Sequence, residues 1–288
     1  QEHLHLDTRR QLRRDVLKAY YDVVCYRCME QHFQVLDTLY ARYAEAAVRR
    51  QEAGETNSLD VLMARSKRDE ISVRLQQVRE DRLAAQSRLM RFVQSEEAVT
   101  AALDTAPRLK VRGSEIQENP LLAYQEASMM KARQQLRRAR LNWLPDISLG
   151  YFQGTNDYPE ARVYKGFEVG LSFPLFFGSQ NSETKVRRLN WEAARKEVQE
   201  TEQQLSGKIE SLQAQRNKLA RPLDVFEERG RELAEEMTRT ARRSYEEGEI
   251  GMSEYVAAVE QARRTMVDYF KNLRQYNHTV LEINYLMR

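Results

Sequence analysis

No glycine or proline interrupts residues 6–53. A helix of that length spans roughly 60–70 Å at 1.5 Å per residue, longer than a compact domain of 288 residues needs. Apolar residues recur at Leu12, Val16, Ala19, Val23, Tyr26, Phe33, Tyr40, Tyr43 and Ala47, with Glu30 and Asp37 intervening. The mean spacing of about 3.5 is that of a coiled-coil seam. Gly54-Glu55-Thr56-Asn57-Ser58 then reads as a helix stop followed by an N-cap. A second helix is predicted over 59–93, with Ile71, Leu75, Val78, Ala85, Leu89 and Phe92 on its seam. Two long helices joined by so short a connection form an antiparallel hairpin.

Residues 95–118 are irregular, and Asn119-Pro120 opens a helix to Asn142 as N-cap and first helical residue. Beyond Trp143-Leu144-Pro145 the period changes from helical to two. Ile147, Leu149 and Tyr151 alternate with Ser148 and Gly150; Phe167, Val169, Leu171 and Phe173 alternate with Glu168, Gly170 and Ser172. Gly154-Thr155-Asn156-Asp157-Tyr158-Pro159 supplies a turn-rich connector, so 144–178 is predicted to be a β-hairpin with one apolar face. In a sheet packed on a core the apolar face points inward; in a transmembrane barrel it points to lipid. Helix is expected again from Asn181 toward Gly248, kinked or interrupted at Pro222, which lacks a backbone donor. The last helix, 253–287, has a seam of Val259, Ala262, Met266, Tyr269, Leu273, Tyr276, Val280, Ile283 and Met287, every step three or four.

Glu52-Ala53-Gly54-Glu55 aligns with Glu246-Glu247-Gly248-Glu249, and in step with it Asp60 falls on Glu254, Ala64 on Ala258 and Leu89 on Ile283, at a constant offset of 194 residues. The chain therefore reads as an internal duplication: 1–94 a first helical-hairpin repeat, 95–118 a linker, 119–143 a helix leading to strands, 144–178 the β-hairpin, and 179–288 the second repeat. The fold class is mainly α, duplicated long antiparallel coiled-coil hairpins with one β-hairpin. Only the second repeat has a strand pair before it, so the chain is expected to be a fragment lacking the first pair.

Charged residues make up 31% of the chain, but the net charge is only +3, with both signs interspersed along the helices. That pattern is a solvated helix surface and argues against nucleic-acid binding. No run of about 18 apolar residues suggests a membrane-spanning helix, and the first residues do not read as a signal peptide.

The ordered set of motifs, Asn119-Pro120, Leu144-Pro145-Asp146-Ile147-Ser148-Leu149-Gly150-Tyr151, Gly166-Phe167-Glu168-Val169-Gly170-Leu171-Ser172-Phe173-Pro174-Leu175-Phe176 and Ser244-Tyr245-Glu246-Glu247-Gly248-Glu249-Ile250-Gly251, resembles the TolC-family outer-membrane efflux proteins. It is most similar to the CusC/CzcC-like channels of heavy-metal pumps of the resistance–nodulation–division (RND) type, and residues 245–255 are similar to the channel-like segment fused C-terminally to such a pump. The resemblance implies a trimer whose protomers contribute four strands each to one transmembrane β-barrel standing on a helical tunnel. It implies that Ile147, Leu149, Tyr151, Phe167, Val169, Leu171 and Phe173 face outer-membrane lipid, and that Ser148, Gly150, Glu168, Gly170 and Ser172 face the lumen. It also implies that the turns farthest from the barrel, at Gly54, Ser58 and Asp60 and at Gly248, Gly251 and Glu254, dock a periplasmic membrane-fusion adaptor, which links the channel to the inner-membrane RND pump. The same residue types serve as ordinary helix caps and first-turn acids, and the residues alone leave that alternative open.

Cys25, Cys28 and His32 fall on one helix face, a spacing that suits a soft metal. They lie mid-helix without a fourth ligand, however, so no metal site or cofactor is assigned. Scattered Met and helically spaced Tyr read as packing. No nucleophile–base arrangement or phosphate-cradling loop suggests an enzyme. The resemblance thus implies a passive export duct for heavy-metal cations in the outer membrane and periplasm. The alternative is a soluble coiled-coil scaffold, and a third reading is a periplasmic metal-binding helical protein built on Cys25, Cys28 and His32.

Overall fold

The computed structural model describes residues 2–94, 101–103, 105–112, 119–142, 144–155, 162–172 and 178–287, without the side chains of 2–4 and 178–180. The elements are α1 (Glu2–Glu52), α2 (Ser58–Val93), α3 (Pro120–Leu141), β1 (Asp146–Thr155), β2 (Val163–Ser172), α4 (Gly178–Val225), a π-helical turn (Phe226–Gly230), α5 (Arg231–Glu246) and α6 (Met252–Leu286). The chain divides into two compact units, one of His5–Ile116 with Gly207–Arg288, the other of Gln117–Ser206 with Gln1–Leu4.

In the first unit α1 is the central helix. Val23, Val24, Cys25, Cys28 and Met29 are all buried, because α1 is covered on two sides and a single narrow stripe does not suffice. Toward α2, Glu30 accepts from Arg79 at 3.2 Å and Arg82 at 2.6 Å. Toward α6, Glu282 meets Arg14 at 3.3 Å and Lys18 at 2.5 Å. The predicted α6 seam is buried at Val259, Ala262, Leu273, Tyr276, Val280 and Ile283. Two seam expectations fail. Leu12 is exposed, as is Phe92 in the last turn of α2. Leu12 lies three heptads before the buried Phe33, and a helix of 3.6 residues per turn drifts about 20° per heptad against a 3.5 repeat, which rotates an early position off the seam.

The described part of the linker is strapped onto α6 by two asparagines. The fully buried Asn277 accepts from the Leu109 N–H at 2.9 Å and donates to the Pro107 carbonyl at 2.9 Å. Two turns further along the same face, Asn284 accepts from Arg112 N–H at 2.6 Å and donates to the Lys110 carbonyl at 3.2 Å. Each amide satisfies an extended backbone segment that has no sheet partner, which meets the requirement that buried backbone polar groups be paired. Arg108 adds ion pairs to Asp224 and Glu227 and stacks over Tyr276.

Pro222 does not break its helix. α4 continues through it to Val225 and then widens into a π turn, where the N–H of Arg231 reaches back to the Phe226 carbonyl. The bond that Pro222 lacks is the one back to Lys218, on the other side of the proline from this turn.

In the second unit Asn119 caps α3 by accepting from the Leu121 N–H at 2.9 Å, with Pro120 as the first helical residue. After α3 the chain forms β1 and β2, an antiparallel two-stranded sheet.

Candidate duct wall and helical turns

The register places Ile147 opposite Leu171, Leu149 opposite Val169 and Tyr151 opposite Phe167. These six side chains share one face because cross-strand partners point the same way. Their exposure runs from 56% at Tyr151 to 84% at Phe167, so no described part of the chain covers them. The Tyr151 and Phe167 rings are 5.3 Å apart, and the next pair on this face is Gln153–Lys165. Phe173, the seventh residue expected on this face, lies outside the described residues.

The opposite face pairs Asp146 with Ser172, Ser148 with Gly170, Gly150 with Glu168, Phe152 with Gly166 and Gly154 with Tyr164. Ser148, Gly150, Glu168, Gly170 and Ser172 thus share one surface, which is small or polar, and its two charged residues, Asp146 and Glu168, are both acidic.

The duplicated turns have the same geometry. After α1, Gly54 takes φ +74°, its N–H donates to the Gln51 carbonyl at 2.9 Å, and the Glu55 N–H donates to the Arg50 carbonyl at 2.8 Å. After α5, Gly248 takes φ +77°, its N–H donates to Tyr245 at 3.2 Å, and Glu249 N–H donates to Ser244 at 2.8 Å. Both are Schellman caps, which place a left-handed residue where only glycine is unstrained. The helices that follow start differently. Asn57 caps α2 by accepting from the Asp60 N–H at 3.0 Å, while the Asp60 carboxylate accepts from the Thr56 hydroxyl. Ser58 is the first residue of α2 and accepts from the Gln51 side chain at 3.1 Å. At the start of α6 the cap position is Gly251, whose N–H donates to the Glu254 carboxylate at 3.0 Å.

Sequence spacing did not reveal that the two turns lie side by side. Tyr43, Tyr245 and Tyr255 pack in one cluster, with ring centres 4.3 to 5.6 Å apart. Arg50 sits 4.9 Å over the Tyr245 ring. A cavity of about 390 Å³ opens between α1 and α5, walled by Tyr43 and Tyr245 and rimmed by Arg42, Arg49, Arg50 and Arg242. The signal was present as tyrosines and arginines at helical spacing, but it belongs to helices nearly two hundred residues apart.

Cys25 and Cys28 are buried and not joined in a disulfide. Burial, with Cys28 and Asp22 nearby, pushes the Cys25 thiol up to about 12, the opposite of what a thiolate ligand or redox thiol requires. Burial, reinforced by the Arg263 charge, lowers His32 to about 4, and its buried Nε2 has no hydrogen-bond partner. Among the described residues no cluster of three His, Cys, Asp or Glu side chains is placed to hold a metal. No described helix is long and apolar enough to cross a membrane.

The chain thus combines a β-hairpin that has one exposed apolar face with long paired helices. Residues 111–286 match the family of outer membrane efflux proteins, and the chain belongs to that family. Members are channels of the outer membrane and periplasm, ducts rather than enzymes. The fold is shared with a membrane protein from Pseudomonas aeruginosa (16% identity, TM-score 0.78, covering 100% of this chain and 69% of that one). It is shared also with CusC, described as forming a transmembrane channel (15%, 0.77, 99% and 70%), and with the CmeC outer membrane channel of Campylobacter jejuni (13%, 0.72, 99% and 64%). The chain thus spans about two thirds of these proteins. No curated protein matches it.

Proposed function

We propose that this chain forms part of the wall of a passive export duct, the outer-membrane component of a tripartite RND efflux system that discharges heavy-metal cations. The observation that carries the reading is the hairpin: six large apolar side chains, 56% to 84% exposed, in register on one face. A coiled-coil scaffold gains nothing from such a face in water, whereas in a barrel each of these side chains meets lipid. Ile147, Leu149, Tyr151, Phe167, Val169 and Leu171, with Phe173, form the lipid-facing side; Ser148, Gly150, Glu168, Gly170 and Ser172 line the lumen. Completing the barrel takes further strands and a homotrimer, since a two-stranded sheet is marginal alone. The duct performs no chemistry and needs no cofactor; the inner-membrane pump supplies the energy. The metal assignment rests on the likeness to heavy-metal channels.

The adjacent turns dock the periplasmic adaptor. Gly54 and Gly248 present bare backbone to an approaching helix end, with Ser58, Asp60, Gly251 and Glu254 as polar contacts. A division into two repeats, 1–94 and 179–288, joined through 95–118, 119–143 and 144–178, suits a stem that meets one partner at both turns. The test is photo-crosslinking in cells, with the probe residue at Asp60, at Glu254, and at Arg274 on α6 as control. Capture of a periplasmic adaptor from both turns and not from Arg274 supports the reading. No capture at either turn, from a protein found outside the envelope, removes it in favour of the scaffold.

A further inference from the structure

Two stripes of the helical unit are left uncovered. On α2, Val73, Glu80 and Leu83 fall within about 80° of the helix surface, at about 100° per residue. That arc lies opposite the buried Ile71, Leu75, Val78 and Ala85, so it points away from α1. The exposed Glu80 carboxylate accepts from the Gln76 amide at 2.7 Å and meets no cation among the described residues. The second stripe, Val225, Arg229 and Leu233, crosses from α4 through the π turn into α5. Arg229 is exposed and meets no carboxylate among the described residues. The four apolar side chains are 46% to 58% exposed, and apolar surface grouped in this way around a charge marks an interaction site.

Val225 and Leu233 are eight residues apart, which in an unbroken α-helix would set them about 80° apart. The π turn at Phe226–Gly230 takes up one extra residue, so the two stand as positions seven apart do, about 20° from one line. Heights along the helices follow from contacts inside the chain. Glu30 of α1 pairs with Arg79 and Arg82 of α2. Along α6, Tyr255 lies against Tyr43 and His278 against Asp22, which puts Tyr269 level with Glu30. Tyr269 stacks on Phe226, so Phe226 is level with residues 79–82 of α2. α2 leads away from one turn and α5 toward the other, so they run antiparallel. Leu83 therefore comes level with Val225, Glu80 within a turn of Arg229, and Val73 level with Leu233.

We propose that these stripes are the two halves of one joint between copies of this chain: Val73, Glu80 and Leu83 of one copy pack against Leu233, Arg229 and Val225 of the next. The proposal rests on the homotrimer of the duct reading and names the surfaces that close it. The stripes match in height, in their apolar positions, and in the opposite charge between those positions. They are different surfaces, so the contact is head-to-tail, and each copy of a closed ring uses both. Copies related by rotation about an axis along the helices meet at equal heights, which is how the two stripes correspond.

The test co-expresses two differently tagged forms of the full-length protein, one with Val73→Cys and the other with Leu233→Cys, and treats them with a short bismaleimide. The native Cys25 and Cys28 are buried, and excess reagent is quenched before denaturation. A crosslinked band carrying both tags is expected. Val73→Cys paired with Val35→Cys, which is also exposed and lies at a similar height on α1, should give none; a band there in place of the Leu233 band overturns the assignment. Adding Glu80→Arg to the Val73→Cys chain should lower the yield roughly five-fold, as reversing one charge of a partly exposed pair does. Arg229→Glu on the other chain should restore it, and a yield that the reversal leaves unchanged overturns the ionic match. A parent that is trimeric by light scattering in mild detergent but gives no Val73–Leu233 band overturns this joint and leaves the duct reading standing. A monomeric parent overturns both.

Discussion

Replacing His32 with phenylalanine perturbs the clearest electrostatic defect in the helical unit. The His32 ring lies 5.9 Å from Phe33 and 6.5 Å from Phe270, centre to centre, so an aromatic hydrocarbon of similar shape fits the site. Its Nε2 is buried without a partner, and relieving an unpaired polar atom is expected to stabilise the folded chain by about 1 kcal/mol at neutral pH. The larger effect is on acid stability. Burial lowers the imidazole from 6.5 to about 4, so the unfolded chain takes up a proton that the folded chain refuses. Stability from this group is therefore intact above pH 6.5, falls as pH drops from 6.5 toward 4, and levels off below that. A difference of about 2.5 pKa units corresponds to roughly 3 kcal/mol. Carboxylates with lowered pKa lose their contribution at lower pH. Glu282 is one: burial pushes it up, but Lys18, Arg14 and Lys208 outweigh burial and hold it below its ordinary 4.5. The assay is urea unfolding followed by helical circular dichroism at pH 7.5 and 4.5, for parent and His32→Phe. The parent should lose about 2.5 kcal/mol more than the variant between those pH values. Parallel losses in both proteins would refute the reasoning, since His32 would then be solvated or paired.

Gly54→Ala and Gly248→Ala should each cost about 1 kcal/mol from left-handed backbone strain, because a β-carbon meets nothing within 4 Å at either position. Gly207→Ala, inside α4 with open space for a β-carbon, should instead stabilise by about 1 kcal/mol, and equal melting temperatures for all three would contradict the capping account. Asp22→Ala strips a nearly fully buried carboxylate from His278 at 2.7 Å and Arg274 at 3.5 Å. A loss of about 2 kcal/mol is expected, below that of a fully buried pair because both partners reach water; an unchanged urea midpoint would show that the cluster is inert.

Much of the architecture was legible because its causes are local. Residues 6–53 contain nothing that ends a helix, glycines occupy both turns, and the shift from a period near 3.5 to a period of two at Ile147 marks where coiled coil gives way to strand. The strand faces were legible too, since alternation alone puts Phe167 and Val169 together. Phe152 was not: it reads as one more apolar residue in a strand, and only the pairing with Gly166 shows it lying across the glycine on the other face. Asn277 and Asn284 were equally silent, because an asparagine on a helix does not announce the backbone it will bind.

The sequence by itself determined the long helices, the two glycine turns and the two faces of the hairpin, for these depend on periodicity and on backbone conformations that glycine and proline allow or forbid. The tertiary structure decided which residues meet. It set Tyr43 against Tyr245 and Tyr255, strapped the linker to α6, buried Cys25, and placed a π turn at Phe226. Such contacts join positions remote in the chain, and their energies depend on burial and exact register, which no local pattern encodes.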